Sequence, residues 1–283
     1  MTEHSPILHT EALATGYAPP RRPQHVVAEG IDVALRAGEL VCLIGPNGAG
    51  KTTLMRTLAG MLPPLAGRVL LLGEDVHALS PRQRARRLSI VLTERVSVGM
   101  LTAYALVALG RYPYTNWSGE LTPDDEAVVR WAIQAVGARE LADRQVGELS
   151  DGERQKIMIA RALAQEPALM LLDEPTAFLD LPRRVEMMRL LRELAHGTGR
   201  AILLSTHDLD LALRTADRIW LMPQGGAISV GAPEDLVLSG AFEAAFRSEG
   251  VVFDAVSGAF RVQEQAAGTV ALHGYGLPAL WTR

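Results

Sequence analysis

Short apolar runs alternate along the chain with longer segments in which apolar residues recur at helical spacing. Five of the short runs are nearly all apolar, as expected for strands that are buried on both faces: Leu40–Ile44, Arg68–Leu72, Leu88–Leu92, Ala168–Leu172 and Ala201–Ser205. Alternation of such strands with helices is typical of an α/β fold with a mainly parallel sheet.

Other short runs predict antiparallel strands. Near the N-terminus, Ile7–Leu13 and Val26–Leu35 alternate between apolar and polar residues, which predicts an N-terminal antiparallel β-subsheet. Two further pairs of runs flank glycine-containing turns and predict hairpins: Arg218–Met222 with Ala227–Val230, and Val251–Ala255 with Ala259–Gln263.

Helix starts are marked by a capping residue that is followed by proline. Ser80-Pro81 predicts a helix over Arg82–Arg87, and Thr122-Pro123 predicts one over Asp124–Val136. From about Glu94 to Pro167 the pattern is mostly helical, so we expect a helical subdomain (about residues 94–167) inserted into the sheet. We predict a main domain over residues 1–245 and a small C-terminal extension over residues 246–283.

Composition and charge exclude several classes of protein. The 283 residues are 48% hydrophobic, which excludes a disordered chain, and the net charge of −4 argues against binding nucleic acid through bulk charge. The single cysteine, Cys42, excludes an intramolecular disulfide. The N-terminus lacks an export-signal pattern, and the longest uncharged helical stretch, Val96–Gly110, falls short of the roughly 20 residues that span a bilayer.

A glycine-rich run lies between the predicted strand Leu40–Ile44 and a helical pattern at Thr53–Ala59. It reads Gly45-Pro46-Asn47-Gly48-Ala49-Gly50-Lys51-Thr52 and matches the P-loop pattern G-x-x-x-x-G-K-[ST]. Glycines let backbone N–H groups converge on phosphate oxygens, and the start of the next helix favours negative charge. In this pattern Lys51 reaches the β- and γ-phosphates and the Thr52 hydroxyl binds Mg²⁺. The run predicts a nucleoside triphosphate site.

Two carboxylates end another predicted strand. Asp173 and Glu174 come directly after the apolar run Ala168–Leu172, and α/β folds bind ligands at the carboxyl ends of such strands. Beside a P-loop, Asp173 would hold Mg²⁺ directly or through water, and Glu174 would act as the general base for the attacking water. The alternative is that the two acids only cap the helix that follows.

Four more motifs occur in the order found in ATP-binding cassette ATPases. Leu149-Ser150-Asp151-Gly152-Glu153 precedes a helical run and resembles the family signature L-S-G-G-Q. Tyr17 lies upstream of the P-loop, where the family has an adenine-stacking aromatic residue. After the two carboxylates come Ala177-Phe178-Leu179-Asp180, which resembles the D-loop, and Ser205-Thr206-His207-Asp208, which carries the switch histidine. The resemblance covers about residues 7–245.

The resemblance implies a fold and a shared site. The fold is α/β, with a P-loop NTPase (RecA-like) core, a mainly parallel sheet, an N-terminal antiparallel β-subsheet and an inserted α-helical subdomain. Two identical protomers would enclose two ATP molecules, each held by the P-loop of one protomer and the signature of the other. Binding of ATP favours the closed dimer, and hydrolysis removes that advantage.

The family's functional residues carry over to positions of this sequence. The implied catalytic residues are Lys51, Glu174 and His207. The implied Mg²⁺ ligands are Thr52, Asp173 and Glu94. The implied ATP-binding residues are those of the P-loop (Gly45, Pro46, Asn47, Gly48, Ala49, Gly50, Lys51 and Thr52) together with Thr53, Tyr17, Glu94, Ser150, Gly152 and Asp180.

Two departures from the family pattern matter most. Asp151 replaces a glycine of the signature and adds a negative charge, so we expect closure to be weakened or altered rather than lost. Thr93-Glu94 stands where the family has the Q-loop glutamine. Glu94 either binds Mg²⁺ through its carboxylate or is a solvated loop acid. Both departures keep open the hypothesis that the protein binds nucleotide without catalysis. Intact Lys51 and Glu174 argue against it.

One segment resembles importers of iron–siderophore complexes, haem or cobalamin. In Gly110-Arg111-Tyr112-Pro113-Tyr114, the side chains of Arg111, Tyr112 and Tyr114 would contact a membrane permease, or the tyrosines pack inside the subdomain. The resemblance implies a peripheral ATPase on the cytoplasmic face of the inner (plasma) membrane, with a permease and, indirectly, a substrate-binding protein as partners. The alternative is a soluble cassette ATPase that is not coupled to transport, for example in iron–sulfur assembly.

Overall fold

The computed structural model describes residues 5–20, 23–93, 100–225 and 227–246, and the backbone of residues 251–254 and 259–262. The strands are β1 (Leu8–Tyr17), β2 (His25–Ile31), β3 (Ala34–Leu35), β4 (Leu40–Ile44), β5 (Ala66–Leu71), β6 (Glu74–Asp75), β7 (Leu88–Val91), β8 (Leu169–Asp173), β9 (Ala201–Ser205), β10 (Arg218–Leu221), β11 (Ser229–Gly231), β12 (Val251–Asp254) and β13 (Ala259–Val262). The helices are α1 (Lys51–Leu58), α2 (Pro81–Ala85), α3 (Ala103–Ala108), α4 (Pro123–Ala135), α5 (Asp151–Ala164), α6 (Leu181–Thr198), α7 (Leu209–Thr215), α8 (Pro233–Leu238) and α9 (Ala241–Phe246).

The central sheet has six strands in the order β11-β10-β4-β9-β8-β7. The strands from β10 to β7 pair in parallel, and β11 pairs antiparallel with β10. Four of the five predicted parallel strands are therefore confirmed. The carboxyl ends of β4, β8 and β9 lie side by side, because Asp173 pairs with Ser205 in the register and Ser205 pairs with Leu43.

Arg68–Leu72 forms a strand, but the prediction that this strand joins the parallel sheet is wrong. This segment forms β5, which pairs antiparallel with β1 in the N-terminal sheet, with Arg68 opposite Glu11. Its exposure explains the difference, because Val69 and Leu71 are buried whereas Arg68 is exposed. A strand with one covered face suits an antiparallel sheet, and the apolar run was too short to distinguish the two cases.

The N-terminal antiparallel sheet contains β2, β1, β5 and β6, with β3 paired to β1. The predicted strand Val26–Leu35 is split into β2 and β3, and β1 runs four residues beyond the predicted end at Leu13. Irregular pairing between Leu13 and Gly16 bends β1 there, which the alternation of residues did not indicate. Both predicted hairpins are present, as β10 with β11 and as β12 with β13.

The core lies on both faces of the central sheet. Alternate residues of β4 point to opposite sides: Leu40, Cys42 and Ile44 join the cluster formed with helices α3 to α6. Val41 and Leu43 join the cluster that contains α1 and the N-terminal sheet. Burial on both faces fixes β4, and with it the loop that leaves its carboxyl end.

Between β7 and β8, the described residues form the helices α3, α4 and α5, which pack against one another. This confirms the inserted α-helical subdomain. Thr122 caps α4 and exchanges hydrogen bonds with Asp125, which confirms the predicted start of that helix within one residue. In the part of the chain that the structure describes, no helix is both long and apolar enough to cross a membrane.

Candidate ATP-binding and hydrolysis site

The P-loop connects the end of β4 to the start of α1. Gly50 has a φ of +101°, and a Cβ there would collide with Val27 Cγ1; a Cβ on Gly45 would collide with the carbonyl oxygen of Met222. Both positions therefore exclude a side chain, and the backbone of the loop stays accessible. No side chain caps the first N–H groups of α1, and its first turn has no acid, so these groups remain available to an anion.

Lys51 brings a positive charge to the inside of this loop. Its side chain is buried, and its Nζ donates to the carbonyl oxygens of Gly45, at 2.8 Å, and of Pro46, at 3.2 Å. The ammonium group therefore lies inside the loop whose backbone N–H groups bind phosphate in this pattern. The loop fits a nucleoside triphosphate in backbone shape, in helix orientation and in charge.

Asp173 ends β8 beside the P-loop helix. Its Oδ2 accepts a hydrogen bond from Thr52 Oγ1, at 3.3 Å, and its Oδ1 accepts one from Ser205 Oγ, at 2.6 Å. Its backbone oxygen accepts from Thr93 Oγ1 at 2.8 Å. A buried carboxylate next to a hydroxyl is an oxygen donor pair that suits Mg²⁺, an ion that usually completes its shell with phosphate and water.

Glu174 and His207 face each other across the same strand ends. His207 Nε2 lies 2.5 Å from Glu174 Oε1, and both side chains are partly exposed. Glu174 has a left-handed backbone with a φ of +51°, and its N–H donates to Ser205 Oγ at 3.0 Å. Such a backbone is costly for a residue with a side chain and often occurs at functional sites. Its side chain is thereby directed at the histidine.

A cavity of about 590 Å³ joins these groups. Its lining includes Gly45, Pro46 and Asn47 of the P-loop together with Glu174 and His207. The structure therefore brings together the P-loop, the candidate base and the switch histidine, which lie far apart in the sequence. The cavity gives room for a ligand between them.

Tyr17 lies at the end of β1, next to the P-loop helix. Its hydroxyl is 3.1 Å from Thr53 Oγ1, and its ring is half exposed. The predicted stacking of this ring on the base of the nucleotide stays a prediction. Thr53 is buried and contacts the tyrosine hydroxyl, and its predicted contact with ATP also stays a prediction.

The signature residues line a different cavity. Ser150 caps α5 and its hydroxyl donates to Glu153 Oε2 at 2.8 Å. Hydrogen bonds from the backbone and the side chain of Ser150 lower the pKa of Glu153. Ser150 and Gly152 line a cavity of about 400 Å³ that shares no residue with the cavity at the P-loop. Within one chain the two anion-binding elements are thus separate.

Asp180 and Glu94 are two further residues that the sequence predicts to bind ATP. Asp180 caps α6, because its Oδ1 accepts from the backbone N–H of Arg183 at 3.1 Å, and its side chain is exposed. Its predicted contact with ATP stays a prediction. Glu94 lies outside the described residues, and so its role as a ligand also stays a prediction.

The predicted permease contact is wrong for Arg111. Its side chain is only 6% exposed and bridges Asp125, at 2.8 Å, and Glu166, at 2.7 Å. The side chain of Tyr114 also makes contacts within the chain, because its hydroxyl donates to Gln165 O at 3.0 Å and Arg111 stacks on its ring. Only Tyr112 of the three is exposed. The alternative, that the tyrosines pack inside the subdomain, is therefore right for Tyr114.

Sequence reasoning missed the function of one site residue. In the sequence Ser205 is only the first residue of the switch motif, whereas in the structure it hydrogen-bonds both the Asp173 carboxylate and the Glu174 backbone. The available signal was a hydroxyl residue at the end of a fully buried strand, where an unpaired hydroxyl is costly.

Comparison with known proteins agrees with this arrangement. The ABC transporter family model matches residues 28–177, which is more than half of the 283 residues. The chain belongs to the ABC transporter family. The predicted family, the ATPase activity and the binding of ATP are thereby confirmed.

Two relatives and one solved structure give the extent of the similarity. The chain is 46% identical to an uncharacterized ABC transporter ATP-binding protein of Methanocaldococcus jannaschii, over 82% of this chain and 78% of that one. It is 38% identical to the ferric enterobactin transport ATP-binding protein of Escherichia coli, over 90% and 92%. It also resembles a metal-chelate type ABC transporter in an inward-facing conformation, with a TM-score of 0.73, 26% identity and coverage of 86% and 90%. The ABC ATPase fold is confirmed.

Proposed function

We propose that two copies of this ABC ATPase hydrolyse two ATP molecules on the cytoplasmic face of the inner (plasma) membrane and so drive a permease that imports an iron complex or cobalamin. The similarity to a ferric enterobactin transport protein supports an iron complex as cargo. The reported relatives are transporter proteins, which favours import over the alternative of a soluble ATPase. A substrate-binding protein would deliver the cargo to the permease.

The single observation that carries the homodimer is the separation of the two cavities. Glu174, His207 and the P-loop line one, and Ser150 and Gly152 line the other. A half-site that binds anions through the start of α5 gains a ligand when a second copy presents its own ATP there. A two-fold arrangement then completes two equivalent sites at once.

In each site the residues of this chain have separate tasks. Lys51 and the N–H groups of the P-loop bind the phosphates, and Tyr17 stacks on the base. Glu174 Oε1 accepts the proton of the attacking water, and His207, which is 2.5 Å away, holds this carboxylate and reaches towards the γ-phosphate. Thr52 and Asp173 would hold Mg²⁺, with Glu94 as a further proposed ligand, and the ion would neutralise phosphate charge.

The permease contact is proposed for exposed apolar side chains near the helical subdomain. Met100, Tyr112 and Trp117 are 82%, 77% and 98% exposed. Large apolar groups that water surrounds in the isolated chain favour contact with another protein. We assign this contact to the main domain (residues 1–245) and leave the C-terminal extension (residues 246–283) outside it.

The dimer is tested with Glu174→Gln. Without the base, the bound ATP is not cleaved, and so the closed dimer should accumulate with saturating MgATP. Size-exclusion chromatography or sedimentation should then show a dimer with ATP and a monomer with ADP. A variant that binds MgATP but stays monomeric contradicts the proposal.

A mixing experiment controls for the shared site. Lys51→Ala impairs the P-loop and Ser150→Phe impairs the signature, so each variant alone should lack ATPase activity. A mixed dimer retains one complete site, because the intact P-loop of one copy faces the intact signature of the other. Activity should therefore reappear on mixing. Activity of the Ser150→Phe variant alone would show that one copy is sufficient.

A further inference from the structure

The signature turn of this chain is unusually acidic for a place that is proposed to meet phosphate. Asp151 and Glu153 lie on either side of Gly152 at the start of α5. Two negative charges there oppose the approach of ATP from a partner, and the opposition grows as closure removes water. Cations close to the turn must offset these charges.

Four cations surround the turn, and three of them are each held by an acid. These three pairs are Arg154 with Asp151 at 3.6 Å, Arg144 with Glu153 at 3.2 Å, and Lys156 with Glu186 at 2.6 Å. The fourth cation, Arg183, has the longest pair, at 4.0 Å from Asp180. The same carboxylate oxygen of Asp180 accepts a hydrogen bond from the Arg183 backbone, and so it is already engaged in capping α6.

The side chain of Arg183 crosses directly over the signature glycine. A Cβ on Gly152 would lie 3.2 Å from Arg183 Cδ and 3.4 Å from Nη1. Arg183 lines the signature cavity with Ser150 and Gly152, and its side chain is 51% exposed. The charge of Arg183 also acts on Glu153. Hydrogen bonds from Ser150 are the main cause of the lowered pKa of Glu153, and the positive charges of Arg144 and Arg183 lower this pKa further.

We propose that Arg183 is a positioning residue of the signature half-site, whose guanidinium offsets Asp151 and Glu153 so that ATP on the partner's P-loop can dock there. The proposal rests on the shared dimer site proposed above. It acts through charge at the turn, and it adds to the site a residue that lies outside the signature motif. The cost of removing it must therefore depend on whether Asp151 is present.

The first test measures dimer formation with MgATP by sedimentation, in the Glu174→Gln background. Arg183→Gln removes the charge but keeps most of the stem over Gly152. It should weaken the dimer about tenfold, the effect of one charge-assisted interaction. Arg183→Lys keeps the charge and should stay near the parent. Arg189→Gln is the matched control, because Arg189 lies on the same helix, has an exposed side chain and pairs with Glu193 at 3.0 Å.

The second test adds Asp151→Gly to each protein. With that charge removed, Arg183→Gln should cost clearly less than tenfold, and nucleotide binding by the monomer should be the same in all variants. An equal loss with and without Asp151, or a dimer as tight as the parent's, overturns the inference and leaves the dimer standing. A Glu174→Gln parent that fails to dimerise removes the proposed function, and this inference with it.

Discussion

Ser205 is the residue whose removal tests the geometry of the hydrolysis site most directly. It is fully buried, donates to Asp173 Oδ1 at 2.6 Å and accepts from the Glu174 backbone at 3.0 Å. Ser205→Ala deletes both hydrogen bonds and adds no bulk. Because the position is buried, water cannot readily replace the hydroxyl, and a carboxylate oxygen and an N–H group lose a partner.

The size of the effect follows from the two bonds. A hydrogen bond to a charged group contributes about 1.5–3 kcal/mol, and one between neutral groups about 0.5–1.5 kcal/mol. Ser205→Ala should therefore lower the free energy of unfolding by about 2–4.5 kcal/mol. For a chain of this size that corresponds to a fall in Tm of roughly 4–18 °C.

Ser89→Ala is the matched control. Ser89 is also a buried serine on a parallel strand of the central sheet, but its hydroxyl has no hydrogen-bond partner among the described residues. Its removal should leave the free energy of unfolding unchanged or raise it, because no hydrogen bond is lost and an unpaired buried hydroxyl is removed. Thermal or chemical denaturation of both variants gives the comparison.

Ser205→Ala should also lower the ATPase activity. The Glu174 backbone has a φ of +51°, and the bond to Ser205 helps to hold it there. Without it the carboxylate loses its fixed direction, so kcat should fall about tenfold with little change in the KM for ATP. Equal stability of the two alanine variants, together with an unchanged kcat, would refute this account of the site.

Two further predictions concern the P-loop glycine Gly50 and the residue Glu94. Gly50→Ala places a Cβ against Val27 at a φ of +101°, so ATP affinity in a binding titration should fall by about tenfold or more, whereas Gly73→Ala, at a similar φ of +82° but in open space, should leave that affinity unchanged. Glu94→Gln should keep or raise ATPase activity if Glu94 occupies the place of the Q-loop glutamine; complete inactivity with intact ATP binding would show instead that the carboxylate is indispensable.

Much of the fold could be predicted because local signals and burial agreed. The strand β4 is apolar at every position, and capping residues such as Ser80 and Thr122 mark helix starts within a residue or two. The sheet that β5 joins could not be predicted from its short apolar run. That choice depends on antiparallel pairing with β1, which lies about 55 residues earlier in the chain and leaves one face of β5 exposed.

The site also has a part that could be predicted from the sequence and a part that could not. The P-loop, the two acids and the switch histidine form contiguous motifs, so their chemistry could be predicted from residue type and order. The bridging position of Ser205 depends on the register of β8 against β9, which sets it opposite Asp173. Register is decided by the packing of whole strands, and a single motif does not contain it.

Arg111 shows why a surface role cannot be assigned to a motif without its tertiary partners. Its two acids come from 14 and 55 residues further along the chain, and its Nη1 also donates to Ala164 O at 2.8 Å. A buried guanidinium with three such partners ties the turn after α3 to α4 and to the end of α5, and removing both acids would leave a buried charge unpaired. This leaves contact with a permease to exposed neighbours such as Tyr112 and Trp117, whose side chains have little interior contact to lose.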